Sequence, residues 1–488
     1  MQYTAFNGST YDLEPWLGDN VALLTPRNAA LSPEVMAKLL AAFDAGYRYY
    51  QGVTGREPAD LPPTTLEGRS TIAIVDATCG AGCGYLGARG IEILPDWFGA
   101  GLAGAFPFVR GFYDAMAEQG KVTSIVFYEL GRNFWFYGDQ LGAGGLDLGF
   151  TTGYAVVNRQ YAQESSGFDL DAGDAAGQYH AQALPAIART YFSSAEANGL
   201  NTLGQQQGIE NSSSFNGSAD LAAALLEVFH EHAGPGGYAR FWHELGGLPA
   251  SLAVQDAFDN FSSAAEAATG MDYGFLFKSG WTFLVGDETG STLNAERHAD
   301  GRYAVLGFGG DDILNGSKAS ESLLAGKGDD RLFGHGGADQ LAAGTGNDLL
   351  EGGTGDDLLA GGLGDDILRG DAGDDSLSGD GGKDLLTGGG GADRFIFAAA
   401  SESSVSAPDQ ITDFNPHRDQ LVFKGLLHGS FDYLAHEDFS ASGNTQARLD
   451  TDAHRLEVDI DGNGLADMAI MLLGGASARL DANAFSWV

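Results

Sequence analysis

Cysteine and basic charge are what this sequence has least of. Its 488 residues include two cysteines, Cys79 and Cys83, and 26 lysines and arginines against 66 aspartates and glutamates. Two cysteines with three residues between them permit one small disulfide and rule out a disulfide scaffold. With no further cysteine or matched histidine nearby, they also argue against a zinc knuckle. A formal net charge of −40 repels phosphate backbones, so no nucleic-acid partner is expected. No apolar run reaches the roughly 18 residues of a membrane span, so no transmembrane segment is expected. The opening MQYTAFNGSTYDLEPW has neither the basic nor the apolar region of a conventional signal peptide. A G-x-S-x-G elbow, a P-loop and a Rossmann fingerprint are also missing, which leaves serine-hydrolase and nucleotide chemistry without support.

So much acid implies either disorder or saturation with cations. A chain that is 43% hydrophobic and 11% aromatic can bury cores, so disorder does not describe the whole of it. The length predicts two or three domains. The 74 glycines, about twice the usual share, are concentrated after residue 300.

There the chain falls into a nine-residue register, as in GGTGDDLLA, GGLGDDILR, GDAGDDSLS and GDGGKDLLT. Its acidic position falls at Asp312, Glu321, Asp330, Asp339, Asp348, Asp357, Asp366, Asp375, Asp384 and Asp393. Two residues later stands an apolar side chain: Leu314, Leu323, Leu332, Leu341, Leu350, Leu359, Leu368, Leu377, Leu386 and Phe395. A flexible linker has no use for a nine-residue apolar period. Glycine permits the positive φ of tight turns and a close approach of carbonyls. Aspartate adds a hard oxygen suited to Ca²⁺, and the apolar residue marks a short strand with an inward side chain.

The register resembles the G-G-x-G-x-D-x-U-x repeat of RTX proteins. The resemblance implies a parallel β-roll in which two nonapeptides make one coil and several Ca²⁺ ions sit between turns 18 residues apart. It pairs Asp330 with Asp348, Asp339 with Asp357, Asp348 with Asp366, Asp357 with Asp375 and Asp366 with Asp384. The repeat GSKASESLL lacks the glycines, which puts a site at Glu321 in doubt. Without cations the carboxylates repel across a thin leucine core, so folding is expected where calcium is plentiful, outside the cell.

Beyond Phe397 the pattern turns to antiparallel β. PDQITDFNPHRDQLVF resembles the segment after the roll in serralysin-type secreted proteins, and LEVDIDGNGLADMAIMLL reads as two strands around an Asp-Gly, Asn-Gly turn. Asp459, Asp461, Asn463 and Asp467 are calcium-type side chains, but the distal glutamate of an EF-hand loop is absent, which favours a plain hairpin. The apolar end ANAFSWV resembles the uncleaved C-terminal export signal of that family. This makes a type I secretion apparatus the expected partner and a secreted, extracellular or cell-surface location the expected one.

The first 290 residues carry the purpose. Ser32 and Pro33 start a helix, STIAIVDAT alternates as a strand, and DLAAALLEVFHEH places Leu221, Leu225, Val228, Phe229 and His232 on one stripe. Strands come early and helices late, which reads as α+β. The helix ending YYQGVTGREP, the run FYELGRNFW and the closing LF…GW segment resemble the gluzincin metallopeptidases. That resemblance implies H-E-x-x-H, yet Tyr128 and Arg132 stand where the histidines would be, around Glu129. A guanidinium stays protonated and cannot bind zinc. Between Leu148 and Gln163 there is no Asp or Glu to act as third ligand.

Two accounts of Glu129 stay open. In one, Glu129 and Arg132 form a buried pair three residues apart. In the other, Glu129 is a general acid or base in a cleft walled by Phe134, Trp135, Phe136 and Tyr137, with Tyr128 or Arg132 holding an anionic or sugar group. Asp139 or Asp147 would then be the second carboxylate. His230 and His232, two apart, face different ways on a helix and read as surface or capping residues, as does His243.

The reading is therefore a multidomain chain: an α+β domain over 1–295, a calcium-binding β-roll over 296–397, and a C-terminal antiparallel β cap with the export signal over 398–488. Its expected function is binding, of an extracellular polymer or a cell-surface ligand. The alternative is an extracellular hydrolase using Glu129.

Overall fold

The computed structural model describes the chain except residues 28, 60–64, 77–81, 85–88, 94–110, 142–146, 172–173, 194–217, 252–253, 278–280, 296–301, 451 and 474–479. Cys79 lies outside the described residues, and its pairing with Cys83 with it. The chain divides into two compact units. One comprises Met1–Thr190, Asn198–Glu227 and Ala239–Ala264; the other comprises Tyr191–Ala197, Val228–Tyr238 and Ala265–Val488.

The first unit is built on a mixed sheet with the spatial order Gln2–Thr4, Thr10–Leu17, Val21–Pro26, Arg69–Ile74, Ile91–Ile93, Gly82–Gly84. Val21–Pro26, Arg69–Ile74 and Ile91–Ile93 run parallel, and the outer pairings are antiparallel. Parallel neighbours need a crossover. Helix Pro33–Thr54 lies in the first of these connections, so this part is α/β. The clue is burial: Val21–Thr25 and Ser70–Val75 are buried without alternation, as strands covered on both faces are. Ser32 occupies the N-cap position but makes no side-chain cap. Its amide instead donates to the Tyr113 hydroxyl at 2.8 Å. The helix ends at Gly55, whose φ of 62° supplies the left-handed cap.

In the second unit, successive strands alternate between a nine-stranded and an eleven-stranded sheet. Through the repeats each pairs in parallel with the strand 18 residues on: Leu323 with Leu341, Leu341 with Leu359, Leu332 with Leu350, Leu350 with Leu368. Leu332, Leu341, Leu350, Leu359, Leu368, Leu377 and Leu386 are all fully buried and stack into one core that continues to Phe395, Ile411, Leu421, Ile470 and Phe485. One leucine per strand suffices because the neighbouring inward position is a glycine, or an alanine at 325 and 343, which lets the two sheets close on a thin core. The arrangement is consistent with a β-roll.

Three expectations are corrected here. The N-terminal part, expected as α+β, is α/β, because its central strands pair in parallel with a helix in the crossover. Trp281–Val285, expected to close the N-terminal domain, heads the nine-stranded sheet instead, pairing in parallel with Arg302–Leu306. The C-terminal region is a mixed cap. Gln420–Phe423 and Phe485–Trp487 extend the nine-stranded sheet in parallel, and Asp409–Ile411 extends the other. Antiparallel pairing joins Thr445–Asp450, Arg455–Asp459 and Met468–Leu472. Alternation in a sequence shows that a strand has two faces, not which way its neighbour runs, and these strands dock on edges whose direction the roll has set.

Candidate metal centre

Each register aspartate sits at the turn before its strand, buried to 3% exposure or less. Along one edge Oδ1 of Asp330, Asp348, Asp366 and Asp384 each accepts the amide of the acidic residue 18 earlier, at 2.7–2.8 Å. Along the other edge Asp339, Asp357, Asp375 and Asp393 do the same at 2.8–3.1 Å. The predicted pairs at 18 residues are thus brought together.

The second oxygen is the telling one. Oδ2 of Asp312, Asp330, Asp339, Asp348, Asp357, Asp366, Asp375, Asp384 and Asp393 is buried and has no hydrogen-bond partner among the described residues. A buried carboxylate oxygen without a partner costs a kcal/mol or more; repeating it nine times points to a missing countercharge. The cradle is set by glycine. A Cβ at Gly334 would meet Asp339 Oδ2 and the Gly352 carbonyl oxygen, both at 2.6 Å. Carboxylate and carbonyl oxygens therefore converge where only hydrogen leaves room. Hard oxygens from two turns and no nitrogen or sulfur donor fit Ca²⁺. The residues that would hold it are these aspartates and the glycine carbonyls beside them, and it would supply the positive charge that lets the carboxylates lie so close.

Burial also shifts their titration. Lacking a countercharge, Asp330, Asp339, Asp366 and Asp384 are pushed up to about 8. Asp348 and Asp375 rise to about 7 and Asp312 to about 6. Desolvation is the main cause, with neighbouring carboxylates adding to it.

Sequence reasoning missed the ladder's continuation. Asp409 Oδ1 accepts the Asp384 amide at 2.9 Å and Asp419 Oδ1 the Asp393 amide at 3.2 Å. Asp409 is fully buried, and its Oδ2 is unpartnered too. The nine-residue period has lapsed by then, since the intervals are 25 and 26 residues. A signal survives in the D-Q-I and D-Q-L triplets at 409–411 and 419–421, an aspartate two before an aliphatic as in the repeats. Glu321 differs from its neighbours, because its carboxylate accepts both the amide and the hydroxyl of Ser317.

Asp459, Asp461 and Asp467 form, among the described residues, a group close enough to share an ion. Their oxygens already accept turn amides: Gly462 and Gly464 donate to Asp459, and Ile460 to Asp467. The favoured hairpin is present, with Val458 opposite Met468.

In the first unit, Tyr128, Glu129 and Arg132 lie on helix Ile125–Asn133. Glu129 is buried to 3%, and the Arg132 Nε stands 3.8 Å from Glu129 Oε2. Tyr128 is half-buried. Of the supposed cleft wall, Phe134, Trp135 and Tyr137 are core. Trp135 and Tyr137 meet Trp242 at ring separations of 6.3 and 4.8 Å, and Phe136 is half-buried. Asp139 is exposed, and the side chain of Asp147 lies outside the described residues.

The histidines need correction. His230 and His232 are buried, not surface residues. Residues 221–234 are buried on all sides, so the expected stripe is a fully covered helix. His232 Nδ1 lies 2.6 Å from the Val228 carbonyl oxygen, and burial lowers its pKa to about 4. His243 is exposed, as expected.

Among the described residues no helix is long and apolar enough to cross a membrane. No curated protein matches the chain. A functionally unknown conserved protein from Bacillus anthracis has a similar structure at 10% identity and a TM-score of 0.36, covering 55% of this chain. This chain spans about half (48%) of that protein's length. The AlgE6R3 subunit from the Azotobacter vinelandii mannuronan C5-epimerase is 28% identical over 36% of this chain and 77% of its own, with a TM-score of 0.17. Residues 304–483, the stretch that holds the ladders and their continuation, match the family model of the peptidase M10 serralysin C-terminal region.

Proposed function

We propose that this chain is a secreted RTX-type protein, its C-terminal unit folded by several Ca²⁺ ions and its N-terminal unit serving as a binding or cell-surface module. The observation that carries the reading is the row of nine buried aspartate oxygens without a partner among the described residues, seven of them facing a glycine. The serralysin-type match over 304–483 supports secretion, with a type I apparatus as the partner. Extracellular calcium modules bind at roughly 10⁻⁴–10⁻³ M, which would keep the roll unfolded inside a cell and fold it outside.

For the N-terminal unit, the frame Tyr128-Glu129-Leu130-Gly131-Arg132 supports a gluzincin-like scaffold that has lost its zinc ligands. The 3.8 Å approach of Arg132 to buried Glu129 favours the ion-pair account, with an extracellular polymer or cell-surface ligand as the partner sought. The hydrolase alternative finds less support, because three of the four aromatics meant to wall its cleft belong to the core.

The test is a calcium titration of the full chain, followed by circular dichroism for strand content and by mass spectrometry for bound ions. Cooperative folding with several ions bound supports the proposal. A chain equally folded in chelator and in millimolar Ca²⁺, with no ion retained, ends it.

A further inference from the structure

The coils of the second unit are not built alike. The strands Leu349–Thr354, Ile367–Ala372, Ser376–Gly381 and Leu385–Gly390 each bury one leucine and a glycine, and leave the alternate positions half-buried or exposed. Arg302–Gly309 and Glu321–Lys327 are covered on both faces. Tyr303, Val305, Leu306 and Phe308 are buried in the first, Leu323 and Leu324 in the second. At roughly 25 cal/mol per Å² of apolar surface, two-faced burial gives these strands a stability of their own that the single-leucine coils lack.

Their turns are closed differently as well. At the Glu321 rung both carboxylate oxygens are satisfied within the turn. Oε2 accepts the Ser317 amide at 3.0 Å, Oε1 accepts the Ser317 hydroxyl, and Ala319 donates to Ser317 Oγ at 3.2 Å. The longer glutamate and a serine thus occupy the place where the other rungs leave a carboxylate oxygen bare. The turn before Thr292 is likewise tied by side chains. Asp287 Oδ1 accepts the Thr289 amide at 2.8 Å, and the Asp287 amide donates to Ser291 Oγ at 3.2 Å. A helical residue of the same unit holds this end: Lys327 Nζ meets Glu231 Oε1 at 2.7 Å.

We infer that the strands Trp281–Val285, Arg302–Gly309 and Glu321–Lys327 of the nine-stranded sheet form a calcium-independent seed on which the later coils fold when calcium binds, with Ser317 standing in for the ion at the Glu321 rung and the Asp312 rung, whose Oδ2 is bare, closing with the later ones. The inference rests on the calcium reading above and deepens it. A coil without its ion then has an already folded sheet edge to dock on at the N-terminal end.

Hydrogen exchange of the full chain, in excess chelator and in millimolar Ca²⁺, tests this. In chelator, peptides covering 302–309 and 321–327 should exchange at least about 10-fold more slowly than those covering 349–390, and Ca²⁺ should protect the latter. Ser317→Ala should remove the chelator-state protection at 321–327, and Glu321→Gln should leave the number of bound ions unchanged in native mass spectrometry. Equal loss of protection along 302–390 in chelator, or loss of one ion in Glu321→Gln, overturns the seed and leaves the calcium reading standing. No gain of protection at 349–390 on adding Ca²⁺ removes the calcium reading, and the seed with it.

Discussion

Asp366 accepts the amide of Asp348 on one carboxylate oxygen, 2.8 Å away, and holds the other buried and, among the described residues, unpartnered. The same relation recurs along both edges, so each aspartate closes one turn by a hydrogen bond and exposes a charge to the space between turns.

Asp366→Asn keeps the side-chain oxygen that accepts the Asp348 amide and removes the charge. The calcium concentration at the midpoint of folding should rise at least about 10-fold, with fewer ions retained, because the ligand charge count sets affinity in such sites. A calcium titration followed by circular dichroism reads it. An unchanged midpoint would remove Asp366 from the metal centre.

Gly361→Ala addresses the cradle instead of the charge. An added Cβ would overlap Asp366 Oδ2, so calcium-dependent folding should weaken although no ligand is lost. Leu359→Ala is the control for packing alone. Leu359 is fully buried, and its truncation should cost about 2–5 kcal/mol in calcium-saturated thermal unfolding while leaving the ion count unchanged.

The pH dependence should differ in sign with and without calcium. In the cation-free roll, Asp330, Asp339, Asp366 and Asp384 hold protons up to about 8, whereas in an unfolded chain they release them near the ordinary aspartate value of about 4. Between these limits the folded form binds more protons, so its stability is present at the acid end and is lost as pH rises through 7 to 8. Calcium must displace those protons, so its affinity should rise over the same window. Residual strand content in chelator from pH 4 to 8, and proton release on calcium binding at pH 7, check the two signs.

Asp409→Asn should lower the ion count by one in native mass spectrometry, as the loss of any repeat aspartate would. An unchanged count would confine the metal centre to the nonapeptides.

Glu129→Gln separates the two accounts of the N-terminal helix. If the carboxylate serves the Arg132 pair, the first unit should lose about 1–2 kcal/mol, discounted because Arg132 is one-third exposed and can rehydrate, and ligand binding should survive. A fall of at least about 100-fold in any hydrolysis, with folding intact, would favour general acid–base chemistry.

Much of the second unit was legible because its physics is local and periodic. A turn of fixed length needs glycine at fixed places, and a stacked strand needs its leucine at a fixed offset, so ten acidic positions and their leucines could be read from spacing. The N-terminal helix was legible as a helix. That Phe134, Trp135 and Tyr137 face the core, or that His230 and His232 are buried, was not, since helical spacing names a face without naming what covers it.

The sequence by itself determined the period and the hard-oxygen chemistry suited to calcium, because these depend on neighbours within nine residues. Only the tertiary structure decided what depends on pairing at a distance. It made the cap mixed, carried the ladders on to Asp409 and Asp419, and closed the Glu321 rung with Ser317. Strand direction, an unpartnered oxygen and a substituted ligand are properties of two turns brought together, and no single turn carries them.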